Sequence, residues 1–151
     1  MRYIEKTIFI GLTLLLTSCA TSKNESNERV VTYTSDFVSH SYEEIKDKEI
    51  LYSNIFGIDS NSYYVYFYSS TCSHCANLRE FIISTALERG DIYFVKASDE
   101  INFLKSVEET IGLSSVEGFG ILGYPSLIKI EEHIITKNIA GVLPIRSEFI
   151  N

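Results

Sequence analysis

Two short apolar runs in the middle of the chain predict buried strands. In YYVYFYS (residues 63–69), Val65 and Phe67 fall on one side of an extended chain and Tyr64, Tyr66 and Tyr68 on the other. A strand that is apolar on both alternating faces is typical of the interior of an α/β sheet. IYFVKAS (residues 92–98) has the same character. We therefore predict two central strands.

Helical spacing of apolar residues appears on both sides of these strands. ANLREFIISTALERG (residues 76–90) carries apolar positions three and four apart and ends at Gly90, which predicts an amphipathic helix. DEINFLKSVEETIG (residues 99–112) predicts a second helix, with Asp99 as its N-cap and Gly112 as its end.

The sequence patterns at the two ends of the domain predict further helices. A β-hairpin is predicted directly before the last of them. SYEEIKDKEILYSNIF (residues 41–56) has an imperfect helical pattern, and Pro144 suits the first turn of a short final helix. SLIKI and IITKNI flank Glu131-Glu132-His133 and predict two strands joined by a tight turn. The order of elements predicts a βαβ unit followed by an antiparallel hairpin, which gives a mixed sheet flanked by helices.

The N-terminus has the pattern of an export signal. Arg2 and Lys6 precede an apolar run over residues 8–16, which is too short to span a bilayer as a helix. Leu16-Thr17-Ser18-Cys19 resembles the lipobox of bacterial lipoprotein precursors. The alternatives are an ordinary signal peptide, or a buried helix that contains a cysteine.

The lipobox resemblance implies a division of the chain into three parts. Residues 1–18 would be a lipoprotein signal peptide, residues 19–40 a lipidated Cys19 and a polar flexible tether, and residues 41–151 the folded domain. The protein would then lie outside the cytoplasm, lipid-anchored to a bacterial membrane. The net charge of −7 gives no indication of nucleic-acid binding.

The remaining two of the three cysteines form the motif Cys72-Ser73-His74-Cys75. This CxxC motif is a redox pair, half of a zinc site, or two buried thiols. A structural zinc site needs four ligands, and the three histidines of the chain (His40, His74 and His133) are widely separated. We therefore expect no metal site, and nothing in the sequence implies a cofactor.

Residues 41–151 resemble the thioredoxin family in three separated features. Cys72 lies between a predicted buried strand and a helix. FGILGYPS (residues 119–126) resembles the family's loop with a cis-proline, here Pro125, and Gly141 stands where the family has a glycine after its last strand. The resemblance implies a thioredoxin-like α/β fold and a thiol-disulfide oxidoreductase.

The resemblance also implies roles for individual residues. Cys72 would be the exposed nucleophile, since a helix N-terminus favours its thiolate, and Cys75 the resolving thiol. Ser73 and His74 replace the Gly-Pro of reductants, and a histidine here resembles the Dsb-type disulfide oxidases. Tyr124, before Pro125, is expected to tune the site.

One departure from the family concerns proton transfer. Thioredoxins keep a buried acid six residues before the first cysteine, where this chain has Tyr66. Lys96 stands where the family often has a lysine near that acid. The Tyr66 hydroxyl, Lys96 or water would have to assist the second cysteine.

Three functional hypotheses follow. The leading one is an extracytoplasmic oxidase or isomerase that exchanges disulfides with cysteine-containing protein clients and is recycled by a membrane redox partner. The second is a membrane-anchored reductant, as in cytochrome c maturation. The third is a non-catalytic module that binds a partner protein, or binds Cu(I) or zinc through its CxxC.

Overall fold

The computed structural model describes residues 39–104 and 106–150. The predicted signal peptide, Cys19 and most of the predicted tether lie outside the described residues. The helices and strands are the 3-10 helices Tyr42–Lys48, Tyr52–Asn54 and Glu108–Thr110, the strands β1 (Ser62–Tyr68), β2 (Ile92–Lys96), β3 (Ser126–Glu131) and β4 (Ile134–Ala140), and the α-helices α1 (Ser73–Arg89) and α2 (Val142–Phe149).

The four strands form one mixed sheet in the order β2-β1-β3-β4. β1 pairs in parallel with β2 and antiparallel with β3, and β3 pairs antiparallel with β4. The parallel pair is connected through α1, which is the predicted βαβ unit. Strand order, crossover and hairpin confirm the predicted thioredoxin-like fold.

The alternation along β1 divides the core into two clusters, as the sequence predicts. Tyr64 and Tyr66 join α1 and α2 on one face, together with Phe94 of β2. Val65 and Phe67 face the opposite side, where irregular segments and short 3-10 helices cover the sheet. β1 is therefore buried over its whole length except Ser62.

The ends of the predicted elements agree with local sequence. α1 ends at Gly90, whose φ of 81° is the left-handed conformation that glycine adopts without steric cost. Glu132 and His133 both have positive φ (51° and 63°), so they form the two-residue turn between β3 and β4. Pro144 lies in the first turn of α2.

The helix predicted over residues 99–112 is wrong. Of the residues described in this segment, only Glu108–Thr110 is helical, as a single 3-10 turn. The backbone around Phe103 instead forms a parallel bridge with Ile121, because Leu104 N–H donates to the Ile121 carbonyl and Ile121 N–H to the Asn102 carbonyl, both at 2.9 Å. Extended pairing between these segments replaces the local hydrogen bonds of a helix.

The helix predicted over residues 41–56 is also wrong as one element. Two 3-10 helices occupy this region, and the first is kinked at Ile45. Glu49 pairs in parallel with Phe94, and Ile50 N–H donates to the Phe94 carbonyl at 2.8 Å. Backbone groups that would form hydrogen bonds within a continuous helix thus bond to the edge of β2 instead.

Candidate active site

Cys72 is the N-cap residue of α1. β1 ends at Tyr68, and a short turn brings the chain to Cys72, whose N–H donates to the Ser69 carbonyl at 3.3 Å. The Cys72 sulfur accepts the Cys75 N–H at 3.1 Å, and its thiol donates to the Tyr124 carbonyl at 3.4 Å. A half-buried sulfur at a helix N-terminus is where a thiolate is favoured.

Cys75 lies one turn further along α1 and is fully buried. Burial raises the pKa of its thiol to about 12, and the hydrogen bond with Cys72 contributes in the same direction. Both thiols are free. The site therefore pairs an accessible sulfur with a buried, protonated one directly behind it.

The Tyr124–Pro125 peptide bond is cis, as predicted. It holds the Tyr124 carbonyl against Cys72, and Gly141 N–H donates to the Pro125 carbonyl at 2.9 Å. The three features on which the family resemblance depends are thus brought together, although long stretches of sequence separate them. Pro125 itself is buried beneath the site.

Ser73 and His74 are exposed in the first turn of α1. His74 lines a cavity of about 420 Å³, whose other lining residues are Tyr124, Pro125, Gly141, Val142, Leu143 and Pro144. The hydrogen bonds of the Cys72 sulfur go to Cys75 and Tyr124. His74 makes none of these hydrogen bonds and lies beside Tyr124 and Pro125 on the lining of the cavity.

Tyr66 and Lys96, the two candidates for proton transfer, lie in different surroundings. Tyr66 is fully buried in the cluster that contains Cys75. Lys96 is exposed at the end of β2 and lines a separate surface cavity of about 330 Å³ with Tyr68 and Glu49. The Tyr66 hydroxyl lowers the pKa of the Cys75 thiol, against the larger effect of burial.

The sequence did not reveal three residues that pack against the Cys75 cluster, against Tyr124 or beside His74. Tyr42 packs against the cluster of Cys75 and Tyr66. Phe103 is 61% exposed and meets the Tyr124 ring edge-on, with 5.6 Å between centroids, and Leu143 is 76% exposed beside the His74 cavity. None carries a local motif. The exposure of Phe103 was not predicted, because its segment was interpreted as a helix.

Within residues 39–104 and 106–150, no cluster of three or more His, Cys, Asp or Glu side chains is arranged to hold a metal ion. Over the same residues, no helix has the length and apolar character needed to cross a membrane.

The fold and this arrangement define a thioredoxin-like domain with a paired-thiol site. No protein-family model matches the sequence, and no curated protein sequence matches it. Among solved structures, the chain is similar to oxidized mitochondrial thioredoxin 3 from Saccharomyces cerevisiae, with 17% identity, a TM-score of 0.47, and coverage of 72% of this chain and 94% of that one.

Two further solved thioredoxins are similarly distant. The Plasmodium falciparum thioredoxin is 14% identical with a TM-score of 0.46, and covers 68% of this chain and 94% of its own. Thioredoxin f from spinach chloroplast (short form) is 13% identical with a TM-score of 0.46, and covers 67% and 86%. The thioredoxin-like fold is assigned from the order of the strands and from the arrangement of the site.

Proposed function

We propose that the protein is a thiol-disulfide oxidoreductase that exchanges disulfides with cysteine-containing protein clients. The observation that carries the proposal is the asymmetry of the thiols. The half-buried Cys72 sulfur accepts a helix N–H at 3.1 Å, whereas Cys75 is fully buried behind it. An accessible nucleophile with a protected second thiol suits formation and then resolution of a mixed disulfide.

The exchange proceeds in two steps in the oxidising direction. A client thiolate attacks the Cys72 sulfur of the Cys72–Cys75 disulfide, so the bond between the two sulfurs breaks and Cys75 leaves with the electron pair. A second client thiolate then attacks the client sulfur of the mixed disulfide and releases the Cys72 thiolate. The client gains one disulfide, and the protein is left with two reduced sulfurs.

Exchange with model clients tests this proposal. The parent should accelerate insulin reduction by dithiothreitol or the refolding of scrambled ribonuclease, and Cys72→Ser should abolish that acceleration. Cys75→Ser should instead retain clients as mixed disulfides on Cys72. A parent that binds Cu(I) or zinc through both thiols and turns over neither client would favour the metal-binding alternative.

We further propose that the protein works as an oxidase or isomerase, on the basis of His74. A cation or donor beside the nucleophile stabilises the reduced form and makes the disulfide more oxidising. His74→Pro should therefore lower the reduction potential, by about 30 mV for each tenfold loss of thiolate stability. Proline is tolerated in a first helical turn, so the fold should persist. An unchanged reduction potential would leave the reductant hypothesis as well supported as the oxidase or isomerase hypothesis.

We propose that the protein is exported and lipid-anchored to a bacterial membrane through Cys19. The support is the lipobox-like Leu16-Thr17-Ser18-Cys19 and a thiol pair suited to a compartment where disulfides persist. Cys19→Ala should move the protein from the membrane fraction to the soluble fraction with its redox activity intact, while Cys72→Ser should stay anchored. Retention of Cys19→Ala in washed membranes would contradict the anchor.

A membrane redox partner that recycles the Cys72–Cys75 pair completes this proposal. The partner must present an accessible thiol or disulfide near the membrane surface. Cys75→Ser should trap it as a mixed disulfide in the membrane fraction, and Cys72→Ser should trap nothing. The same adduct in both variants would exclude exchange through Cys72.

A further inference from the structure

Two tyrosine hydroxyls near Cys75 lack hydrogen-bond partners. Among the described residues, no group has the geometry of a hydrogen-bond partner to the buried hydroxyls of Tyr42 and Tyr66, although the two hydroxyls lie close enough to each other, and Tyr66 close enough to Cys75, to shift one another's pKa. Elsewhere in the domain, buried tyrosines are paired: Tyr63 donates to the Ile55 carbonyl at 2.7 Å and Tyr52 to the Phe119 carbonyl at 3.1 Å. Unpaired buried hydroxyls are costly, so two together at the redox site call for an explanation.

Aromatic packing fixes the position of both rings. Tyr42 stacks on Tyr68 with 3.9 Å between centroids, and Tyr66 lies parallel to the same ring at 6.3 Å. Both also meet Phe94 edge-on, at 6.4 Å and 5.6 Å. The two rings are therefore held in place by neighbours on β1 and β2; Tyr66 belongs to the buried cluster that contains Cys75, and Tyr42 packs against it.

The pKa values of the two tyrosines indicate that their hydroxyls act as hydrogen-bond donors. Burial raises the pKa of Tyr66 far above its ordinary value, and the neighbouring Tyr42 and Cys75 add to the effect. Burial likewise raises the pKa of Tyr42 to about 12. Both groups stay protonated at physiological pH. Tyr66 is therefore unsuited to act as a base and can serve as a hydrogen-bond donor.

We propose that Tyr66 donates a hydrogen bond to the Cys75 sulfur whenever that sulfur is negatively charged, and that Tyr42 positions the Tyr66 hydroxyl for this contact. The missing acceptor is the thiolate itself, which exists only during exchange. When a client thiolate breaks the Cys72–Cys75 bond, Cys75 leaves with the electron pair and accepts the Tyr66 O–H. In the reverse direction Cys75 gives its proton to water, the same bond stabilises the resulting thiolate, and that thiolate attacks the Cys72 sulfur of the mixed disulfide, from which the client sulfur leaves with the electron pair.

This inference rests on the proposed thiol-disulfide function and replaces the family's buried acid with a neutral donor. The titratable groups facing the Tyr66 hydroxyl are Cys72 and Cys75 from α1 and Tyr42 from the first 3-10 helix. Arg79 of α1 lies close enough to Tyr42 to lower its pKa slightly. Tyr124, on the loop before β3, faces Cys75. No carboxylate is among the groups that influence Cys75 most strongly.

The test follows the reaction of reduced full-length protein with 5,5′-dithiobis(2-nitrobenzoate), in a Cys19→Ala background. The first equivalent of thionitrobenzoate reports attack by Cys72, and the second reports attack by Cys75 on the mixed disulfide. Tyr66→Phe should slow the second phase about tenfold at every pH below the Cys75 pKa, and leave the first phase within twofold. Tyr42→Phe should slow the second phase by a smaller factor.

Tyr63→Phe is the matched control. Its hydroxyl is equally buried but bonds to the Ile55 carbonyl on the opposite face of the sheet, so its loss should reduce stability and leave both phases unchanged. Tyr66→Phe removes an unpartnered hydroxyl and should keep or raise stability.

A second phase within twofold of the parent in folded Tyr66→Phe would overturn the proposal. If that variant does not fold, an unchanged second phase in Tyr42→Phe overturns the positioning role. Failure of the proposed function would show separately, as absence of turnover with protein disulfides in the parent.

Discussion

The protection of Cys75 predicts a large difference in reactivity between the two thiols. Only the thiolate is alkylated at an appreciable rate. A pKa of about 12, compared with an ordinary value of 9.0, lowers the thiolate fraction at pH 8 about a thousandfold, since each unit is a factor of ten. In a Cys72→Ser variant the contribution of Cys72 is lost, but burial, the largest cause, remains. We therefore expect Cys75 to react at least a hundredfold slower than in the unfolded chain.

Single-cysteine variants allow a direct measurement. Cys72→Ser and Cys75→Ser, each combined with Cys19→Ala, are treated with iodoacetamide at pH 8, folded and in urea, and alkylation is followed by mass spectrometry. The remaining Cys72 should react when folded at least as fast as in urea, because its sulfur stays accessible and lies at the N-terminus of α1, where a helix favours an anion. Reaction of folded Cys75 within tenfold of its rate in urea, with native circular dichroism, would refute this account of the site.

Three further predictions concern stability. Leu78→Ala, at a fully buried position of α1, should lower the free energy of unfolding by about 2–5 kcal/mol in urea denaturation, whereas exposed Leu87→Ala should change it by about 0.5 kcal/mol or less; equal effects would contradict the assigned core. Gly90→Ala should cost about 1 kcal/mol in the same assay because φ is 81°, and no loss would exclude a left-handed cap. Burial raises the pKa of Tyr42 and of Tyr64 from 10.0 to about 12 in the folded protein, so their contribution to stability is complete below pH 10 and is lost as the pH rises towards 12. The part of the tyrosinate absorbance that Tyr42→Phe or Tyr64→Phe removes should therefore appear in the parent together with loss of circular dichroism, and its appearance near pH 10, before unfolding, would contradict the burial of these residues.

Local patterns in the sequence predicted the elements whose hydrogen bonds and burial depend on near neighbours. β1 and β2 followed from alternation, α1 from apolar spacing and Gly90, and the β3–β4 turn from the residues between two strand-like runs. The same reasoning placed Cys72 between a strand and a helix. These features need only the periodicity of a strand or helix and the identity of the capping residue.

Tertiary structure decided the segments whose backbone groups pair with distant chain. Residues 99–112 have a helical apolar pattern, yet the Leu104 N–H bonds to the Ile121 carbonyl and the backbone around Phe103 pairs with that distant loop. Ile50 bonds to Phe94 and interrupts the helix expected over residues 41–56. Periodicity reports which residues prefer burial, but it does not report a sheet edge or loop that offers competing hydrogen bonds.

The surroundings of Cys75 show the same division. The sequence identified the CxxC, the cis-proline and the absence of the usual buried acid at Tyr66. It gave no indication that Tyr42, before the sheet in the chain, packs beside them. That contact exists because the first 3-10 helix docks on β2 and α1, and only packing of all three elements determines it. The sequence by itself identified the pair of thiols, whereas the folded domain decided which groups surround the buried one.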